Sequence, residues 1–94
     1  MKLLMLIVDE AKKEELEILL NRSGVVGYTE IPGAVGTGSS GPRLGSRSFP
    51  RTSAIIFTVV AAEALEQLRR DIKEYCAECG ERLKMIVWTV EEEL

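Results

Sequence analysis

Histidine is absent from this 94-residue chain. Its absence removes the commonest general base and the commonest metal ligand together. Cysteine is scarce: Cys76 and Cys79 form a single C-x-x-C, half of a zinc set with no second pair to complete it. A basic excess is also missing. Twelve Lys and Arg stand against fifteen Asp and Glu, for a net charge of −3, which argues against a general nucleic-acid binder. No apolar stretch approaches the roughly 20 residues that span a bilayer. The run Leu3–Val8 is too short for a signal-peptide core and ends at Asp9 and Glu10, so a cytoplasmic protein is expected.

One further absence is local. Residues 32–52, PGAVGTGSSGPRLGSRSFPRT, contain no acid, yet hold all three prolines and five of the eight glycines. Arg43, Arg47 and Arg51 make this segment +3, leaving −6 for the remainder. Some twenty residues without apolar periodicity exceed the usual connection length within a compact domain. A cationic, glycine-permissive arm on an acidic body suggests a device that holds an anion or an acidic partner. Simple disorder, or contact with a partner and no ligand, is the competing reading.

What is present reads as one domain, residues 1–94, with the arm as a long flexible loop. Lys2–Val8 is a continuous apolar run, expected as a strand buried on both faces. Asp9 is the expected N-cap of a helix carrying Ala11, Leu16, Ile18, Leu19 and Leu20 as its apolar stripe, with Glu17 among its solvated residues. Gly24 is placed to end that helix. Val25–Ile31 is β-branched and aromatic, hence a second strand, with Gly27 at a bulge or close approach. Ser53–Val60 is a third strand. Ala61, Leu65, Leu68, Ile72, Tyr75 or Cys76, and Cys79 recur at helical spacing up to Gly80, and Arg82–Val90 is a fourth strand. The order βαβ–loop–βαβ predicts a ferredoxin-like α+β fold, a four-stranded antiparallel sheet with both helices on one face. The opposite face would carry Leu3, Met5 and Ile7 with the matching residues of the other strands, an apolar surface that needs self-association to cover it.

Several motifs resolve into blander readings. Gly36-Thr37-Gly38-Ser39-Ser40-Gly41 spells G-x-G-x-x-G. A dinucleotide fingerprint needs a helix to open there, and Pro42 follows instead. The small residues could still form an anion-binding nest, with Arg43 and Arg47 supplying guanidinium contacts. Cys76 and Cys79 lie in a last helical turn, where the dipole disfavours a thiolate, so both are expected to pack as small apolar residues. No metal site is expected. Asp9 and Glu10 read as capping residues rather than an acid–base pair, and no enzyme activity is expected.

The chain resembles the PII-like superfamily, which includes the nitrogen-regulatory PII proteins. The resemblance rests on the element order, on Gly24-Val25-Val26-Gly27-Tyr28-Thr29, on the glycine-rich arm leading to Pro50, and on Ile55–Val60 running into the helix of Leu65, Leu68 and Ile72. It implies a homotrimer whose arm, the T-loop, responds to ligand and docks on a partner such as a membrane transporter or metabolic enzyme. It also implies an adenine nucleotide, AMP, ADP or ATP, or another small anion bound between subunits. The ligand residues would be Gly27, Tyr28, Thr29, Gly36, Gly38, Arg43, Arg47, Gly80, Arg82 and Lys84, and Arg43, Arg47 and Arg51 would face the partner. Three departures stand out: the turn Cys79–Lys84 carries Glu81, the arm holds no tyrosine, and three glutamates follow the last strand. A metal-tolerance or structural oligomer of the CutA type is the alternative.

Overall fold

A computed structural model describes residues 1–39, 41–80 and 82–94. Strand β1 (Lys2–Asp9) buries Leu4, Leu6 and Val8 at alternate positions. It is flanked by β5 (Ser53–Val60) and β6 (Lys84–Thr89), both antiparallel to it, and β2 (Thr29–Ala34) pairs with β5 at the edge. The order β2-β5-β1-β6 is that of the ferredoxin-like α+β fold. Helices α1 (Lys13–Arg22) and α2 (Leu65–Cys79) contribute Leu16, Leu19, Leu20, Leu65, Leu68 and Ile72 to the core that the sheet meets with Leu4, Leu6, Val8, Ala54, Ile56 and Val60.

Two local signals explain how the first half begins and ends its helix. Asp9 Oδ1 accepts the Ala11 N–H at 2.9 Å, but what it caps is a 3-10 turn, Glu10–Lys12, that leads into α1. At the far end Gly24 takes φ +85°, its N–H donating to Asn21 O and that of Val25 to Leu20 O. These two bonds close the helix in a Schellman arrangement. They also keep Val25 with the helix, so the second strand starts at Thr29 rather than at Val25. The irregularity expected at Gly27 falls instead between Ile31 and Ala34. There Pro32 lacks a donor and Gly33 adopts φ +69°.

The helix stripes are narrower than the spacing alone predicts. Ile18 is 65% exposed, since it projects away from the Leu16–Leu19–Leu20 face. Ala11 and Ala61 precede the regular helices and are exposed. Cys76 packs against the core, whereas Cys79, in the final residue of α2, is exposed. Glu17, read as solvated, is half-buried and lies beside Glu30.

The arm is not uniform coil. β2 extends into it as far as Ala34, and β3 (Gly36–Gly38) pairs with β4 (Gly41–Arg43) as a short ribbon. Residues 44–51 then fold into a compact turn: the Ser46 and Leu44 N–H groups donate to Phe49 O, and that of Gly45 to Arg51 O. On the sheet's other face, Leu3, Met5 and Ile7 line up with Val59, Phe57 and Ile55 on one side. On the other side they meet Trp88, Ile86 and Lys84. Among the described residues, no helix covers this face. Trp88 is 43% and Val59 42% exposed.

Candidate functional site

At one end of the sheet the ribbon overhangs a cleft of about 530 Å³. Its floor is a row of cross-strand neighbours, Lys84, Ile7 and Ile55, set side by side by the registers of β6, β1 and β5. Gly36, Thr37, Gly38 and Ser39 form one wall, with Arg43 beside them and Arg82 opposite. Asp9 and Ser53, themselves paired across β1 and β5, close the end. Three cations thus line an opening in which Asp9 is the only acid among the described residues.

Of the ligand residues expected from sequence, Gly36, Gly38, Arg43, Arg82 and Lys84 meet here. Gly36 and Gly38 are extended and paired within the ribbon rather than curled into a nest, and a Cβ at either would meet open space. Gly27, Tyr28 and Thr29 do not reach the cleft of their own chain. Thr29 pairs with Phe57, at the end of β2 remote from Ala34, and Gly27 O accepts the buried Thr58 hydroxyl at 2.6 Å. Gly80 ends α2 at φ +64° and, like Arg47, is not among the lining residues. Ser40 of the G-x-G-x-x-G sequence and Glu81 of the turn lie outside the described residues.

The feature that sequence reading missed is what fastens the arm. Asp9 Oδ2 accepts a hydrogen bond from the Arg43 guanidinium, and Arg51 Nη1 stands 3.9 Å from the same oxygen. Glu10 holds both feet of the arm. Its Oε1 accepts the Gly33 N–H at 2.6 Å and the Thr52 hydroxyl at 3.4 Å, while its own N–H donates to Thr52 O. Burial pushes the Asp9 carboxyl up, but the Ala11 N–H, the Arg43 guanidinium and the Arg51 charge together bring it below its ordinary value. Glu10 is lowered chiefly by the Gly33 N–H. A signal was available: two acids directly follow a strand, and the arm returning beside them carries +3.

A second cluster flanks α1. Lys13 Nζ lies 3.2 Å from Glu10 and 3.4 Å from Glu30. Contact with the Glu30 carboxyl, and then burial, raise the Glu17 carboxyl, because two acids side by side resist both being ionised. Burial, with the charges of Glu17 and Glu30, raises the Tyr28 phenol. Tyr28 therefore faces acids in its own chain, not the cationic cleft. Among the described residues, no three His, Cys, Asp or Glu side chains are grouped to hold a metal ion.

The family model for the nitrogen regulatory protein P-II matches residues 1–92. The chain belongs to the PII family. Its fold is similar to that of CPII, a nitrogen regulatory PII-like protein from Thiomonas intermedia K12, solved with ADP, AMP and bicarbonate. The TM-score is 0.73 at 26% identity, over 95% of this chain and 86% of that one. CPII with ADP and bicarbonate gives 0.73 at 27% identity over the same shares. A protein from Thermus thermophilus described as PII-like and signalling gives 0.64 at 26% identity, over 93% of this chain and 82% of that one. No curated protein sequence matches. PII-family proteins are generally regulators rather than enzymes and form homotrimers. Among the described residues, no helix is long and apolar enough to cross a membrane.

Proposed function

We propose that this chain is a PII-type signalling subunit that binds an adenine nucleotide, or another small anion, in the cleft beneath the ribbon. Occupancy is relayed to a partner protein through the 32–52 arm. The observation that carries this reading is the convergence of Arg43, Arg82 and Lys84 on a 530 Å³ opening walled by the small residues 36–39. Such a wall lets a ligand approach the backbone closely, and the three cations offset phosphate or carboxylate charge. CPII, similar over nearly the whole chain, was solved with ADP, AMP and bicarbonate.

The uncovered sheet face supports a homotrimer. Its apolar rows need sister copies to remove them from water. In that assembly a neighbour would bring Gly27, Tyr28 and Thr29 to the cleft, which accounts for their distance from it within one chain. Arg47 and Arg51 would then be left to meet an acidic partner surface. No bond is made or broken in this scheme, and its setting is the cytoplasm.

A thermal-shift screen of AMP, ADP, ATP, cyclic nucleotides and bicarbonate tests the reading. At least one adenine nucleotide should stabilise the chain, and Arg82→Ala with Lys84→Ala should lose most of that shift. Arg47→Ala should keep it. A shift that is absent for every ligand, or unchanged in the cleft variants, would sink the proposal.

A further inference from the structure

Arg43 is already engaged. Its partner Asp9 lies 34 positions earlier in the chain, and both are largely withdrawn from water, with side chains 20% and 13% exposed. The two oxygens of Asp9 divide their work. Oδ1 holds the start of the helical turn through Ala11, and Oδ2 gathers the cations of the arm. Asp9 therefore presents to Arg43 the same chemistry that a ligand's phosphate or carboxylate oxygen would present.

We propose that Asp9 is the built-in competitor of the cleft: an anion enters by taking Arg43 from Asp9, and so unfastens the arm as it binds. This rests on the reading of the cleft as an anion site. It deepens that reading by assigning a residue that sets affinity and selects by charge. A phosphate brings more negative charge and more acceptor oxygens to a guanidinium than one carboxylate oxygen does. It can outcompete Asp9 where a singly charged carboxylate is an even match. The displaced Asp9 keeps its bond to Ala11, so the helix start survives the exchange. Glu10 still holds Gly33 and Thr52, so the feet of the arm stay in place while its middle is released.

The test is isothermal titration of inorganic phosphate and, separately, ADP into the wild type, Asp9→Asn and Asp9→Ser. Asn and Ser both retain an acceptor for the Ala11 N–H while removing the charge. Two variants guard against a folding defect in one. Phosphate should bind either variant about tenfold more tightly than the wild type, the size expected for freeing the guanidinium from a largely buried charged hydrogen bond. Adding Arg43→Gln should abolish the gain. Phosphate affinity that is unchanged or weaker in both variants would overturn the proposal. Tighter phosphate binding with no ADP binding anywhere would uphold the competitor and reject the nucleotide. Unchanged phosphate affinity in both variants, with ADP binding equally to the wild type and Asp9→Asn, would uphold the nucleotide and reject the competitor.

Discussion

Removing the Glu10 carboxylate should loosen the arm at both feet while leaving the sheet intact. Oε1 is the acceptor for the Gly33 N–H at 2.6 Å and for the Thr52 hydroxyl, and Oε2 pairs with Lys13 at 3.2 Å. A hydrogen bond to a charged group contributes roughly 1.5–3 kcal/mol when well shielded. The Glu10 side chain is 27% exposed, so screening reduces this to about 1 kcal/mol. Glu10→Ala should therefore raise the population with Gly33 detached about fivefold. Native-state hydrogen exchange reads this directly at the Gly33 amide, with Leu4 and Leu6 in β1 as unaffected references. Glu10→Gln keeps an acceptor without the charge and should fall between. The effect also has a definite pH window. The folded-state carboxyl lies below its ordinary 4.5, so Gly33 protection is complete above that value and fades as the pH falls through the folded one. Unchanged Gly33 exchange in Glu10→Ala, or protection that grows on acidification, would refute the account of how the arm is held.

Two other expectations concern the body of the fold. Glu17 carries the opposite sign: its carboxyl is raised by Glu30, so the pair is comfortable below pH 4.5 and loses stability as the pH rises through the folded value. Glu17→Gln donates to Glu30 without needing a proton, so it should raise the melting temperature at pH 7 and make no difference near pH 4, as differential scanning calorimetry would show. Leu6→Ala deletes a fully buried side chain between Ile56 and Met85 and should cost about 3 kcal/mol in urea unfolding at fixed protein concentration. A loss below about 1 kcal/mol would mean that the core collapses around the gap.

The β-sheet was legible because its residues obey strong, local rules. Leu4, Leu6, Val8 and Ala54, Ile56, Val60 alternate with a second apolar set, and Gly24 and Gly80 stop their helices at left-handed positions. The order of elements then leaves few ways to close an antiparallel sheet. Half of the candidate site was legible for a different reason. Arg43, Gly36 and Gly38 stand out by composition, and Arg82 and Lys84 flank the start of a strand. Asp9 and Glu10 did not stand out, because an acid after a strand is explained locally as a cap, and Asp9 is indeed one. Their second role depends on where a distant arm returns, which no window of sequence reports. Tyr28 is a different case, since it stands apart from the cleft of its own chain. An aromatic near the base of the arm suggests a ligand contact, but the start of β2 puts it beside Glu17. The short ribbon of β3 and β4 was hidden by its own composition, since glycines and a proline give no strand periodicity.

Sedimentation equilibrium at micromolar concentration bears most directly on the whole scheme, because a cleft shared between neighbours exists only if the chains associate. Three 10.4-kDa subunits moving as one particle, reduced to single chains by Met5→Glu on the uncovered face, is the expected result. A stable, soluble single chain in the unsubstituted protein would contradict it.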